Sequence, residues 1–275
     1  MSRVLSVLIL SVFLFSSATY ANQKNTVLEE TLSVGTVELK IPAVDGLNDL
    51  LTQKKVNALL AEEIKKLSQQ AQNRAVTYKV IMNRPSLLSV LLQSQGEVTI
   101  YKAVNIDLTT GQKMELNNFF TGLEEAKYAN ILIGEEGIFC SPKDGDAYDN
   151  YVPYVDIMEN IRIGEAGRLL AVERLTEQAA GKKLKLSKAG LLAIKLPSNA
   201  GTGYQWVVKS GSPDFITIGN SFTIPHTNGP VTGAAGTEII FMGAKKAGLY
   251  NVTMEYKRSW ERSAVESFSF IVEVG

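Results

Sequence analysis

Residues 191–206 read LLAIKLPSNAGTGYQW, the stretch that decides the fold of the C-terminal third of the chain. Leu192, Ile194 and Leu196 recur at a period of two, as in a half-buried β-strand. The residues that follow include two glycines, after which Tyr204 and Trp206 resume the same period. This stretch therefore predicts two strands joined by a long turn.

The period of two continues on both sides of this stretch. Further runs with apolar residues at alternate positions, mostly separated by Gly, Pro, Asn or Ser, are 184–186, 216–218, 222–224, 239–241, 250–256 and 268–274. Seven or eight short strands in this length predict an all-β sandwich of immunoglobulin-like size. No cysteine pair is present to cross-link it, so its apolar core alone must hold it together.

The preceding residues predict a different fold class. Val37, Leu39 and Ile41 alternate as in a strand, and apolar residues then recur at steps of three and four over 47–67, which predicts an amphipathic helix. Strand-like runs follow at 76–82, 87–92 and 98–108, and a turn then leads into 114–120. This part is predicted to be α+β, with an antiparallel sheet and one long helix.

Charge separates these two parts. Residues 22–181 carry 16 basic and 22 acidic side chains, whereas residues 182–275 carry 11 and 6. Leu169, Val172 and Leu175 have helical spacing, and the polar and small residues 177–181 end that pattern. We therefore expect an α+β binding domain over 22–180 and a β-sandwich over 181–275.

The first 21 residues are typical of a secretory signal peptide. Arg3 precedes an apolar run from Val4 to Phe15, and small residues then lead to a predicted cleavage after Ala21 or Ala18. A membrane span would need about 20 apolar residues, so an uncleaved anchor is the weaker alternative. The mature protein is expected to be secreted or periplasmic, with no membrane association after cleavage.

Composition excludes several classes of function. The chain has 275 residues, and its 28 basic side chains balance 28 acidic ones, so no overall charge would hold it on nucleic acid. It contains one cysteine, Cys140, and one histidine, His226. An intrachain disulfide and a Cys/His zinc cluster are therefore excluded, and this scarcity argues against an enzyme.

Three segments between the predicted strands have compositions that a strand connection does not require. They are 196–206, with two glycines and an aromatic pair, the small-residue segment 229–238 and the basic, aromatic segment 257–262. Both tryptophans of the chain, Trp206 and Trp260, lie in or beside them. We interpret Trp206 as a core residue on a strand face and Trp260 as an exposed residue that has a binding partner.

Together, and in this order, the three segments resemble the loops of the chagasin family of cysteine protease inhibitors. The resemblance covers about residues 182–275. The family's first loop reads Asn-Pro-Thr-Thr-Gly-Tyr/Phe, with a Trp two residues later, and the matching positions here are Asn199, Thr202, Gly203, Tyr204 and Trp206. Ala200 and Gly201 depart from the pattern, and the added glycine should loosen this loop before binding.

The other two motifs are also kept in part. Gly233 and Gly236 match the outer glycines of the family's Gly-x-Gly-Gly loop, whereas Ala235 replaces the inner one. Arg258 and Trp260 match its Arg-Pro-Trp motif, with Ser259 in place of proline. The departures affect the expected potency and target preference more than the fold.

The resemblance implies an immunoglobulin-like sandwich whose three loops wedge into the active-site cleft of papain-like cysteine proteases without covalent chemistry. It implies no cofactor, metal or catalytic residue. The protease-binding residues that it implies are Asn199, Thr202, Gly203, Tyr204, Gly233, Gly236, Arg258 and Trp260.

The α+β part has a fainter resemblance. Residues 105–116, followed by Phe119 and Phe120, look like part of the extracytoplasmic domain of a lysozyme-sensing anti-sigma factor and of some polysaccharide deacetylases. This implies a binding module for a second protein or a wall component, and it assigns no residues.

Two other classes of function remain open from the sequence. Asp144, Asp146, Asp149 and Asp156 could bind a metal or act as a carboxylate pair in an enzyme, although their spacing does not match an EF-hand. A cell-envelope or adhesion protein could instead use the sandwich only as a scaffold.

Overall fold

The computed structural model describes residues 25–34, 37–72, 74–128, 130–142, 145–164, 169–171, 173–188, 190–223 and 236–275. The predicted signal peptide over 1–21 lies outside the described residues. Contacts group the chain into two compact units. The first comprises the described residues up to Asn118 with Gly122–Val152, and the second comprises Phe119–Thr121 with Pro153–Gly275.

The first unit mixes helices and strands, as predicted. Up to Pro153 the elements are β1 (Thr26–Val34), β2 (Val37–Asp45), α1 (Leu50–Gln70), β3 (Val76–Arg84), β4 (Leu87–Ser94), β5 (Tyr101–Asp107), β6 (Gln112–Met114), α2 (Leu116–Phe119), α3 (Glu125–Tyr128), β7 (Asn130–Ile133), β8 (Gly137–Ser141) and β9 (Asn150–Pro153). Strands β3 to β6 form an antiparallel sheet in sequence order, β1 and β2 pair with each other, and β7 to β9 form a third sheet.

The long helix α1 begins at a side-chain cap and packs one face against the antiparallel sheet. The Asp49 carboxylate accepts hydrogen bonds from the backbone N–H groups of Leu51 and Thr52 at 3.0 and 3.2 Å, which satisfies two donors of the first turn. The apolar residues of the buried face are Val56, Leu60, Ile64 and Leu67, and they share one core with residues of β4 and β5. The predicted helix and antiparallel sheet are confirmed.

The segment 114–120, which follows the predicted turn, is mostly helical. Strand β6 ends at Met114 and the chain then enters α2. Leu116, Phe119 and Phe120 are all buried, so these apolar residues are buried without forming a strand.

The second unit is an all-β sandwich, which confirms the prediction. Its elements are α4 (Tyr154–Ile157), β10 (Glu173–Leu175), β11 (Lys183–Leu186), β12 (Leu191–Ser198), β13 (Tyr204–Ser210), β14 (Phe215–Thr223), β15 (Gly236–Ala244), β16 (Gly248–Arg258) and β17 (Glu266–Val274). One sheet has the order β10-β12-β15-β14 and the other the order β11-β17-β16-β13.

Alternate residues of both sheets form one core between them. Leu192, Ile194 and Leu196 of β12 lie in the same buried cluster as Val252 and Met254 of β16. The run predicted at 216–218 and the described residues of the run predicted at 222–224 form the single strand β14, whose register shifts between 217 and 219.

The second unit begins earlier than the predicted boundary near residue 180. Strand β10 pairs in parallel with β12, and Leu175 packs against the sandwich core. The helical spacing assigned to Leu175 is therefore wrong, since this residue belongs to a strand. The described contacts divide the chain between Val152 and Pro153, and residues 153–180 belong to the same unit as the sandwich.

The single cysteine is a buried residue of the first unit. Cys140 lies in β8, and its sulfur is 3.2 Å from the Asn150 side-chain nitrogen. Burial raises the pKa of the Cys140 thiol, so a smaller fraction of this thiol is present as the reactive thiolate. A structural role fits this position.

In the described part of the chain, no helix is both long and apolar enough to cross a bilayer.

Candidate functional site

The strand registers bring the first and third motif segments, and the described end of the second, to one end of the sandwich. Ser198, where the first loop starts, pairs with Gly236, the first described residue after the second segment. Tyr204, where the first loop ends, pairs with Arg258, where the third loop starts. We call this end of the sandwich, with its first and third loops, the loop edge. It joins both sheets, because the first loop passes from β12 to β13.

The first loop is a short 3-10 turn over Ala200–Thr202 that ends at a glycine. The Thr202 N–H and hydroxyl both donate hydrogen bonds to the Asn199 carbonyl, at 3.1 and 2.7 Å. Gly203 follows with φ of +79°, a conformation that glycine adopts at little cost. The turn is thus hydrogen-bonded even though Ala200 and Gly201 replace the more rigid family residues.

The third loop contacts the first loop through two side chains. The indole of Trp260 lies over Gly203 so closely that a Cβ atom built there would be 3.0 Å from Trp260 Cη2. The Arg258 guanidinium donates from Nε to the Thr202 carbonyl at 3.0 Å and lies 4.4 Å from the centre of the Tyr204 ring. Trp260 nevertheless remains 70% exposed, so its outer face is available to a partner.

Arg258 is also held on its other side. Its Nη1 atom is 3.1 Å from the Glu261 carboxylate within the same hairpin tip. A planar guanidinium can donate from separate nitrogens at its two ends while its flat face stacks on a ring, and the compact ammonium of lysine has no such face. Arg258 therefore acts as a clamp that joins the first and third loops.

An aromatic cluster supports the loop edge from below. The Tyr256 hydroxyl accepts a hydrogen bond from the Asn199 N–H at 2.8 Å, and its ring contacts those of Tyr204 and Trp206. Trp206 is buried, which confirms its interpretation as a core residue, and its Nε1–H donates to the Pro197 carbonyl at 2.8 Å. Sequence reasoning missed the role of Tyr256. The signal was available, since Tyr256 continues the inward-facing alternation over 250–256 and lies two residues before Arg258.

A buried carboxylate also links the two sheets under the loops. Glu238 of β15 accepts hydrogen bonds from the Trp206 backbone N–H at 3.1 Å and from Asn220 Nδ2 at 2.6 Å. Sequence reasoning missed this residue too. The available signal was a charged side chain in phase with the buried Ile240 and Met242.

The charged residues of the strand that leads to the third loop are paired. Glu255 accepts hydrogen bonds from Lys209 and Lys257, and these bonds lower the pKa of its carboxyl. Glu255 therefore stays ionised, and the cationic side chains beside it are held along β13 and β16. Because these charges pair with one another along the strands, the side chains at the tip that contact the first loop are Arg258 and Trp260.

The predicted site residues thus fall into three groups. Asn199, Thr202, Gly203, Tyr204, Arg258 and Trp260 come together at the loop edge. Gly236 lies at the start of β15, where an added Cβ would be 2.5 Å from Phe222 Cζ and 2.6 Å from the Thr223 carbonyl oxygen, so packing alone demands a glycine there. Gly233 and His226 lie outside the described residues. Protease contact by any of these residues stays a prediction.

The acidic residues considered for an enzyme do not form a metal centre in the described part of the chain, where no three His, Cys, Asp or Glu side chains cluster suitably. Asp144 lies outside the described residues. Asp146, Asp149 and Asp156 are not brought together into such a group.

Comparison with known proteins identifies the second unit. The profile of the "Chagasin family peptidase inhibitor I42" matches residues 185–274. Chagasin of Trypanosoma cruzi is 30% identical over 104 residues, which cover 36% of this chain and 93% of that protein.

Solved structures also match over this region. The cysteine protease inhibitor EhICP2 of Entamoeba histolytica is 23% identical with a TM-score of 0.35, and the match covers 38% of this chain and 96% of that chain. PbICP-C, solved in complex with falcipain-2, is 20% identical with a TM-score of 0.25, and the match covers 42% and 95% of the two chains.

Proposed function

Because this chain belongs to the chagasin family of peptidase inhibitors through its C-terminal third, we propose that it inhibits papain-like cysteine proteases by blocking the active-site cleft with the loop edge. Membership of an inhibitor family also confirms the expectation that the chain is not an enzyme. The proposed block is non-covalent and consists of surface contact between the loop edge and the cleft.

The contact between Gly203 and Trp260 carries this proposal. It brings two of the three family motifs, more than 50 residues apart in sequence, into one continuous edge. Small residues in the first loop allow its backbone to approach the floor of a groove closely. The exposed indole beside them is the residue type that most often dominates binding energy at an interface.

The proposed inhibition is tested by titrating the purified protein into papain and into a cathepsin-L-type protease during hydrolysis of a fluorogenic peptide. We expect reversible inhibition in the nanomolar range and no covalent adduct in the mass spectrum of the complex. A folded chain that inhibits neither protease would contradict the proposal and would favour a cell-envelope or adhesion protein.

We expect Arg258→Lys to weaken this inhibition about tenfold. The lysine keeps the charge but loses the planar fork, whose separate nitrogens reach Thr202 and Glu261, and the stacking on Tyr204, so the loops must be ordered on binding. The matched control is Arg262→Lys, the same change at an exposed position of the same tip. Equal inhibition by both variants and the unmodified chain would remove the clamp from the mechanism.

We also propose that the chain is exported, on the strength of residues 1–21 alone. Expression with the native N-terminus followed by intact-mass analysis of the extracytoplasmic fraction should yield a chain that begins at Asn22 or Thr19. A mature chain that still begins at Met1 would contradict export by a cleaved signal.

A further inference from the structure

The first unit contains a pocket that the loop edge does not use. Strand β6 pairs only with Asn105–Asp107, so the earlier part of β5 is bordered by another segment of the same unit. There the Tyr148 hydroxyl accepts a hydrogen bond from the Ala103 N–H at 3.1 Å. Between β6 and Tyr148 lies a cavity of about 280 Å³.

Two lysines on neighbouring strands line this pocket. Lys102 extends from β5 and Lys113 from β6, and their ammonium nitrogens lie 3.3 and 3.6 Å from the same carboxylate oxygen, Glu63 Oε2. Glu63 belongs to α1 and is only 4% exposed. A buried carboxylate therefore holds both cations at the wall of the pocket.

The Glu63 carboxylate is ionised. Its burial opposes ionisation, but Lys113, Lys102 and Lys66 more than offset this effect and hold its pKa below the ordinary value. Lys66 lies outside the pocket lining and makes a shorter ion pair, at 2.7 Å, with Glu62. The cationic residues of the pocket lining are thus Lys102 and Lys113.

Glu63 does not use up the hydrogen-bonding capacity of these lysines. Charge-assisted N–H···O bonds typically measure about 2.7–2.9 Å, and both distances to Glu63 are longer. Each ammonium has three N–H donors, and the two share a single oxygen. Glu115, at the rim, is 3.6 Å from Lys113 but is largely exposed, so water screens this pair. Donors therefore remain for a ligand.

The rest of the pocket suits the body of a small organic molecule. Leu116 and Ile131 are buried apolar residues of its lining, and Asn130 adds a side-chain amide. Ligand pockets typically combine apolar walls with a few placed polar groups, at volumes from about 300 Å³ upward. The cavity is at the small end of this range, which fits one sugar ring or a dipeptide.

We propose that this pocket binds the carboxylate of a small organic acid, with Lys102 and Lys113 as its cationic contacts. The carboxylate group enters beside the two ammonium groups, and the body of the ligand lies against Leu116 and Ile131. An acidic sugar and the free C-terminus of a short peptide share this chemistry. The proposal concerns the first unit alone and does not depend on the inhibitory function.

The test compares acids with neutral analogues on the full chain by calorimetry and ligand-observed NMR. The probes are glucuronate against glucose, and N-acetyl-Ala-Ala with a free C-terminus against its amide. We expect at least one acid to bind with a dissociation constant of about 1 mM, as is usual for so small a ligand, and its neutral partner to bind at least tenfold more weakly. Binding of glucuronate would identify the ligand as an acidic sugar, and binding of the dipeptide would identify it as a peptide C-terminus.

Two variants assign the binding to this pocket. Lys113→Gln should weaken binding of the acid about tenfold, while the matched control Lys65→Gln, on the exposed face of α1, should leave it unchanged. Because Lys113→Gln also removes a partner of Glu63, Ala103→Leu serves as a second variant that fills the pocket and keeps every charge; it should abolish binding. Equal binding of acid and neutral forms, unchanged binding in Ala103→Leu, or no binding of either acid to the folded chain at about 10 mM overturns the proposal.

Discussion

Replacing Trp260 with alanine is expected to weaken inhibition of papain at least 30-fold, which corresponds to about 2 kcal/mol or more of binding free energy. The indole lies against Gly203 on one face and is 70% exposed, so its removal deletes a large apolar contact surface from the loop edge. It also takes away the ring that lies 5.8 Å from the Arg258 guanidinium. The measurement is the inhibition constant from the fluorogenic assay.

The fold should survive this change, because an exposed side chain contributes little to the core. Leu249→Ala is the matched control: Leu249 is 60% exposed and lies near the opposite end of β16, about 30 Å away at the usual rise of a strand. An inhibition constant for Trp260→Ala equal to that of the control, with unchanged circular dichroism, would rule out Trp260 as a main contact.

Replacing Trp206 with alanine is expected to lower the free energy of unfolding of the second unit by about 3–5 kcal/mol. Trp206 is 5% exposed, and its ring contacts Tyr256 and Phe268 at centroid distances of 5.0 and 5.6 Å. The change leaves a cavity under the first loop and removes the donor to the Pro197 carbonyl. Inhibition should therefore fall together with stability.

Urea denaturation followed by tryptophan fluorescence measures this effect selectively. Both tryptophans of the chain belong to the second unit, so Trp260 still reports on that unit in the variant. Trp206→Phe keeps one aromatic ring in the core and loses the Nε1–H and part of the indole volume, so we expect it to be the milder of the two changes. A Trp206→Ala loss below about 1 kcal/mol would mean that the ring is not central to the core.

Local patterns predicted most of the strands and the long helix. The alternation over 191–206 depends only on the repeat of a strand, and the capped helix α1 depends only on spacing and one capping residue, so both can be recognised without distant contacts. Leu175 was misread because short apolar runs are buried equally well in a strand, a helix or a turn. Its conformation was decided by the strand that it pairs with, β12.

The candidate site was predicted unevenly for the same reason. The family motifs named Gly203, Arg258 and Trp260, but they did not indicate that Arg258 is held by Thr202 and Glu261. Tyr256 and Glu238 support the first loop from other strands, and no local repeat distinguishes such residues from ordinary strand positions.

The sequence by itself determined the two fold classes, the α+β and the all-β part, and the identity of the inhibitor motifs, because repeat period and motif composition are properties of neighbouring residues. Only the tertiary structure decided that the first and third loops meet at one end of the sandwich, that Trp260 lies on Gly203, and that Glu63 draws Lys102 and Lys113 together. These arrangements depend on strand order and register, which bring residues from distant segments within a few ångströms of each other.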